Sequence, residues 1–291
     1  MGREYVLSKI ERKRIIGSVI AAALLVLAGS IASRAAELRP ETLKAWNEYI
    51  QAENSQMAKD SPERFLWSDQ SPERIRLLRE GKILITPVGE NPHSIPHGLI
   101  HHWLGAGFLP NTRLDSVLAV LRDYGRYKDF YAPNVVDSQL LQEGGTADAF
   151  SLRMLNKALL SKFALDVEFQ ESYTRVDTQR FYSVGYSTRI REIEDYGEAD
   201  QYEAPPDTGK GFIWRLYNVS RLEERDGGVY VELEAIALSR DVPAALHWVV
   251  HPMIRRASRG SLLVSIQKTQ QAVYASSELA SGAAKTEAGR R

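Results

Sequence analysis

Six histidines are the first residues in this chain with types and spacing suited to chemistry. They fall into two groups: His93, His97, His101 and His102, then His247 with His251. The second pair is spaced i, i+4, which puts both rings on one face of a helix, and His97 with His101 would share one face of a strand. Zinc uses such pairs. Between His247 and His251, however, the sequence reads HWVVH, without the glutamate of a His-Glu-x-x-His helix, and an apolar run between histidines is also what a packed helix shows. Hydrogen-bonded or ligand-contacting histidines are therefore expected, and no metal site is expected. Two carboxylates, Glu232 and Glu234, lie on one strand face opposite Val231, Leu233 and Ala235. If that face looks into a cavity, each must be paired or protonated, with Arg215, Arg180 or Arg189 as available partners. A paired carboxylate there would hold a polar ligand end or assist proton transfer. If the face looks outward, both glutamates are solvated.

No other catalytic set is complete. The chain has no Gly-x-Ser-x-Gly elbow, no P-loop and no dinucleotide fingerprint after a strand. Its lack of cysteine excludes thiolate nucleophiles, disulfides and cysteine-held zinc or iron–sulfur clusters. Basic and aromatic residues do not interleave as nucleic-acid binding would require. No catalytic residue and no cofactor is assigned. What remains is aromatic: Trp103, Tyr186, Trp214, Tyr217 and Trp248 are candidates for the wall of an apolar pocket, with Glu232 and Glu234 as its polar contacts. Taken singly, each aromatic reads as a core residue, and apolar pockets are built from core-like side chains.

The elements that must position these residues follow from periodicity. Residues 40–59 carry Leu43, Trp46, Tyr49 and Ile50 at helix spacing, a linker or a lid. Ser-Pro-Glu-Arg occurs at 61–64 and again at 71–74, each with a serine N-cap and a proline at the first helical position. The second helix should stop at Gly81 and pass into a strand over 82–86. An irregular connection leads to a bent strand over 98–108, then to a helix capped by Thr112, with Leu114, Val117, Leu118 and Leu121 as its stripe. Another turn over 127–131 and a strand over 135–142 follow. From there the period changes to two. Phe163, Leu165, Val167 and Phe169 alternate with polar residues, so 162–175 and 179–193 form an antiparallel hairpin. Phe212, Trp214 and Leu216 open another strand, Asp226-Gly227-Gly228 turns it, and a returning strand lines one side with Val229, Val231, Leu233, Ala235 and Ala237. Pro243 starts a terminal helix reaching Val273. A curved antiparallel sheet has an apolar face to cover, and only this last helix is long enough to do so.

Composition sets the setting. The chain has 291 residues, of which 44% are hydrophobic and 25% charged, enough for a sizeable core. Lys plus Arg and Asp plus Glu both number 37, so no global field draws it to nucleic acid. Residues 1–35 hold six basic and two acidic side chains, leaving the remainder at 31 basic and 35 acidic, a net of −4. Within that segment Lys9, Arg12, Lys13 and Arg14 precede an uncharged run over 15–32, about 27 Å long as a helix. It is expected to be a bacterial-type export signal or a retained membrane anchor, with small residues before Ser33 and Ala36 offering cleavage sites. Either way the body is expected outside the cytoplasm, periplasmic or anchored there.

These features carry a likeness. Residues 112–133, TRLDSVLAVLRDYGRYKDFYAP, resemble the early helix and aromatic-proline turn of START-like, polyketide cyclase/dehydrase-type domains. The hairpin at 226–231, the strand end at 237–240 and the proline-started helix at Pro243 are similar to that family's carboxyl half. The resemblance covers residues 81–273 and implies an α+β helix-grip (SRPBCC) fold around a cavity for lipids, sterols or polyketides, with no universal catalytic motif. The expected organisation is a signal or anchor at 1–35, a helical extension at 36–80, the START-like domain at 81–273 and a disordered tail at 274–291. The expected function is an exported binding or carrier protein for a lipid or other apolar small molecule. The alternatives are a cyclase-like enzyme acting on a polyketide or aromatic substrate, and a structural or interaction domain without a cavity. Protein partners are not assigned, and nucleic acid is not expected.

Overall fold

The computed structural model describes residues 36–57, 65–144, 147–156, 163–210 and 212–288. The export or anchor segment, the first Ser-Pro-Glu-Arg copy and the tail beyond 288 lie outside the described residues. Helix α1 spans Pro40–Met57 and α2 spans Pro72–Arg79. Three strands follow, β1 Leu84–Pro87, β2 His93–Ile95 and the long β3 Gly98–Pro110. Helix α3 Leu114–Leu121 and the single turn α4 Tyr127–Phe130 lead into β4 Val135–Gln142 and β5 Asp148–Asn156. Next come β6 Phe163–Arg175, β7 Arg180–Glu194, the two-residue β8 Tyr202–Glu203, β9 Arg215–Arg225 and β10 Gly228–Arg240. A 3-10 turn at Ala244–Leu246 precedes α5, His247–Ala288.

All ten strands join one sheet in the order β1-β3-β10-β9-β7-β6-β5-β4, with β2 also on β3 and β8 on β7. Every pairing among the described strands is antiparallel. The β9–β10 hairpin closes through Asp226 and Gly227 at φ 55° and 78°, the left-handed pair that a two-residue turn between twisted strands requires.

Strand alternation gives the sheet two covered faces. On the inner one α5 lies so close to β3 that a Cβ at Gly105 would fall 2.6 Å from Ile266 and 3.0 Å from Leu262. Only a residue without a side chain lets the helix rest on the strand backbone there. Leu109, Val229, Val231, Leu222 and Phe181 on this face pack with α3 and with Ala272 and Val273 of α5 in one buried cluster. The outer face is covered too. Trp46 of α1 packs on Ile100, Trp214, Tyr217, Val219, Ile236 and Leu238, while Leu66 and Leu78 pack on Ala106, Phe108 and Tyr230. This α+β helix-grip arrangement is the expected one. The amino-terminal extension is neither linker nor lid over the inner face: it forms a second layer on the sheet's back.

Local departures have physical causes. Thr112 does not cap α3; its hydroxyl donates to the Pro110 carbonyl at 3.2 Å, and the Leu114 amide donates instead to Glu224 of β9 at 2.6 Å. Ser71 holds the N-cap position of α2 without a side-chain bond. Strand β5 is not among the strands expected from the sequence, although Phe150, Leu152 and Met154 alternate in it with Ser151 and Arg153. Strand β9 begins at Arg215, so Phe212 and Trp214 precede it. Helix α5 continues through 274–288, past Val273 where the apolar stripe ends. No helix among the described residues is long and apolar enough to cross a membrane.

Candidate ligand-binding interior

The strand registers set a line of residues across the inner face. Trp103 on β3 lies opposite Ala235 on β10, Ala235 opposite Asn218 on β9, Asn218 opposite Gly185 on β7, and Gly185 opposite Glu171 on β6. A neighbouring line runs Gly105, Leu233, Ser220, Ser183 and Tyr173. Small residues dominate the middle of both. The consequence is visible along β10, where Val229 and Val231 are buried but Leu233, Ala235 and Ala237 remain partly open, as do Leu216 and Asn218 beside them. These side chains sit mid-sheet on the face that α5 grips. Their openness marks space between sheet and helix, closed off at the Val229 end by the α3 cluster.

One wall is aromatic. Tyr124 stacks on Phe150 with centroids 4.1 Å apart, Phe150 stacks on Phe169 at 5.3 Å, and Tyr127 meets Tyr131 edge-on at 5.0 Å. Tyr131 shares a 2.9 Å hydrogen bond with Thr269 of α5, which ties this wall to the helix. At the far end His101 contacts Ser239 at 2.9 Å, and burial with nearby His251 pushes its ring down to about 4, so it is neutral at pH 7. The His247 and His251 rings stack with centroids 4.3 Å apart. Among the described residues, Trp103 Nε1, Tyr173 Oη, His101 Nδ1 and His251 Nε2 are buried without a hydrogen-bond partner. Buried polar atoms left in this state cost free energy unless water or a ligand meets them.

Glu171, opposite Asp148 of β5, places a carboxyl in the middle of this face. Ser183 Oγ donates to it at 2.6 Å. The Asn218 amide also reaches it, lying over Gly185, where a Cβ would fall 2.7 Å from Asn218 Oδ1. Burial pushes the Glu171 carboxyl from 4.5 up to about 7, against the two hydrogen bonds and with help from Asp148. The folded state thus holds this proton more tightly than the unfolded chain. Its contribution to stability is complete below the ordinary value of 4.5 and is lost as pH rises through about 7. Glu171→Gln keeps the neutral shape, so the melting temperature of the parent should fall relative to the variant between about pH 5 and about pH 8. Thermal melts of both proteins across that range check it, and a constant difference would mean that Glu171 titrates normally.

The residues expected to line one pocket are divided between the two faces of the sheet, with Tyr186 and Tyr217 together on the outer one. Trp103 alone is on the inner face among the described strand positions. Trp214, Tyr217 and Tyr186 lie on the outer side, where Tyr186, 45% exposed, and Tyr217 border an open groove of about 590 Å³ with Trp46 and Ile50 of α1. Trp248, 72% exposed, stands at the start of α5. Glu232 and Glu234 also point outward, yet neither is solvated. Glu232 is 1% exposed and accepts the backbone amides of Trp67 at 2.8 Å and Ser68 at 2.9 Å, anchoring the segment before α2. Glu234 pairs with His102 and with Arg221, each on one oxygen; the sequence named Arg215, Arg180 and Arg189 instead. Glu171, Tyr127, Tyr131 and Asn218 were missed. For Glu171 a signal existed: it continues the dry-face parity of Phe163, Leu165, Val167 and Phe169.

No family model matches this chain, and no curated protein matches it. Among solved structures it is similar to a STAR-related lipid transfer protein fragment from Xanthomonas axonopodis, at 16% identity over 65% of this chain and 98% of that one, with a TM-score of 0.42. Human STARD10 matches at 13% identity over 74% and 82%, TM-score 0.42. Zhui aromatase/cyclase from a Streptomyces species matches at 12% over 60% and 94%, TM-score 0.39. These neighbours are of the START and aromatase/cyclase kinds that the sequence resembles. At such identities and scores they say nothing of ligand or activity, and the helix-grip assignment rests on the sheet order and the placement of α5.

Proposed function

We propose that this protein binds an apolar or amphipathic small molecule, such as a lipid, between the inner sheet face and α5, and that it does so as a carrier exported across the bacterial cytoplasmic membrane. The observation that supports the reading is the partly open floor of Leu233, Ala235, Ala237, Leu216 and Asn218 beneath a covering helix. A floor of small side chains under a helix leaves room for a guest, and the unpartnered Trp103 and Tyr173 polar atoms suit one with a polar end. Enclosing some 300 Å² of apolar ligand surface would supply roughly 7 kcal/mol before ordering costs, enough for micromolar-class binding. The export half of the proposal comes from the basic and then uncharged residues of 1–35.

A second reading has its own observation. A carboxyl raised to about 7 in a site with tyrosines is suited to proton transfer near neutral pH, so Glu171 favours a cyclase-like acid–base enzyme as the alternative. One experiment ranks these readings. The natively purified protein is extracted with organic solvent, and any co-purifying molecule is identified and counted by mass spectrometry. A near-stoichiometric lipid or other apolar molecule is expected. If that molecule is converted on incubation and Glu171→Gln stops conversion with binding intact, the enzyme reading replaces the carrier. An extract empty of small molecules, together with no uptake from a panel of lipids and polyketides, would leave a structural domain.

A further inference from the structure

The outer face holds a cluster that ligand binding inside the grip does not use. Glu53 of α1, His102 of β3 and Glu234 of β10 present one nitrogen and two carboxylate oxygens, all within 4.8 Å of one another. His102 is fully buried. Its Nδ1 is 2.8 Å from Tyr49 Oη, which fixes the ring so that Nε2 points at Glu234 Oε1, 2.7 Å away. The other oxygen of Glu234 accepts from Arg221 at 2.8 Å. Burial alone would raise the Glu234 carboxyl, but the hydrogen bond from His102 and the Arg221 charge hold it down to about 2, so it is a settled anion.

Glu53 is the unexplained member. It is half-buried and turned toward this pair, and no side-chain hydrogen bond reaches it among the described residues. Burial raises its carboxyl, and Glu234 adds to the rise while His102 opposes it. Two carboxyl groups share this place with the single Arg221 guanidinium, where charge is expensive. The carboxyl groups of Glu53 and Glu234 face each other there.

We propose that Glu53, His102 and Glu234 form a site for a divalent first-row transition metal, Zn²⁺ being the best fit, which fastens α1 to the outer face of the sheet. One imidazole and two carboxylates with room for water on the solvent side make a four-coordinate set suited to zinc, and too few oxygens for calcium. The partners behind the ligands are those such sites require. Tyr49 Oη accepts Nδ1–H and so leaves the Nε2 lone pair to the metal, and Arg221 steadies the far oxygen of Glu234. Metal–ligand bonds of about 2.0–2.2 Å put neighbouring donors some 3.4 Å apart, so His102 Nε2 and Glu234 Oε1 separate slightly and Glu53 moves inward. A neutral His102 would keep its single proton on Nδ1, toward Tyr49, and a doubly protonated one would release its Nε2 proton to solvent when the metal takes its place. The competing occupant is that proton itself, with a doubly protonated His102 held between Tyr49 and Glu234.

The test uses the full-length chain without a histidine tag, stripped with a chelator and titrated with Zn²⁺ by calorimetry, and with Co²⁺ followed by its visible absorption. One equivalent should bind. Glu53→Gln, which sits at the rim and should fold normally by circular dichroism, should weaken binding by about 10- to 100-fold or more, and Tyr49→Phe by about 10-fold. His251→Gln should leave it unchanged, since the stacked His247 and His251 rings, a place where a metal would find two imidazoles, are separate from this site. Hydrogen exchange in residues 40–57 should slow on zinc addition in the parent and not in Glu53→Gln. The proposal is overturned by an absence of binding, by equal affinity in Glu53→Gln, by loss of binding in His251→Gln, or by binding that leaves exchange in α1 unaltered. None of these results bears on the interior ligand, which is read by extraction and mass spectrometry.

Discussion

Truncation after Val242 is expected to abolish cooperative folding. The deletion removes α5, and with it Leu262, Ile266 and Val273, all buried against the sheet and α3. Each such side chain contributes about 1.5–3 kcal/mol, so these three alone represent roughly 5–9 kcal/mol. Total stability for a domain of this kind is about 5–15 kcal/mol. The loss is larger still, because Leu109, Val229, Val231 and Leu222 on the inner face would be opened to water at the same time. Circular dichroism melts should show a broad or absent transition, with dye binding to exposed apolar surface. Ending the chain after Ser276 should instead change stability by no more than about 0.5 kcal/mol, since Val273 is the last fully buried residue of the helix among those whose burial is described. A sharp melt of the Val242 truncation at the parent's temperature would reject the grip.

Ala235→Trp is expected to abolish or severely weaken uptake of the interior ligand while leaving the fold in place. Ala235 lies mid-floor, between Trp103 and Asn218 in the strand registers, and is partly open. An indole at this position points into the space beneath α5 and takes the volume a ligand would occupy. Displacing about 60 Å² of ligand contact costs about 1.4 kcal/mol, or tenfold in affinity, and a full indole displaces more. Overpacking against α5 would destabilise the protein by about 1–3 kcal/mol, so melts must run in parallel, with Ala235→Leu as a milder control. A fluorescent fatty acid or sterol displacement assay reads the uptake. Trp214→Leu, on the outer face, should destabilise the α1 layer without this selective loss. If Ala235→Trp binds as the parent does, the ligand lies elsewhere, and the groove between α1, Tyr186 and Tyr217 becomes the place to look.

Much of this molecule was legible residue by residue. The period-two alternation of Phe163, Leu165, Val167 and Phe169, and of Val229 through Ala237, placed the long strands and chose which side of each is dry, because a strand side chain can only point to one face or the other. The Asp-Gly pair at 226–227 fixed the hairpin, since few other residues take two left-handed conformations in succession. That the last helix covers the sheet followed from there being no other element long enough. What local pattern could not supply was the partner of each face. Alternation shows that Glu232 and Glu234 oppose Val231 and Leu233, but not that the Glu side is roofed by α1 and the segment before α2, which turns an apparently solvated pair into buried anchors. The same holds for Trp214 and Tyr217: their apolar bulk suits a pocket wall, and the extension that buries them is far away in sequence. The interior site depends on neighbours too. Gly185, Ala235 and Asn218 are unremarkable singly, and only the registers of adjacent strands line them up between Trp103 and Glu171. Side-chain direction along a strand is a local property of the backbone and is written in the sequence; which strands and helices meet is settled by long-range contacts, and it is those contacts that decide where a carboxylate is charged and where space is left.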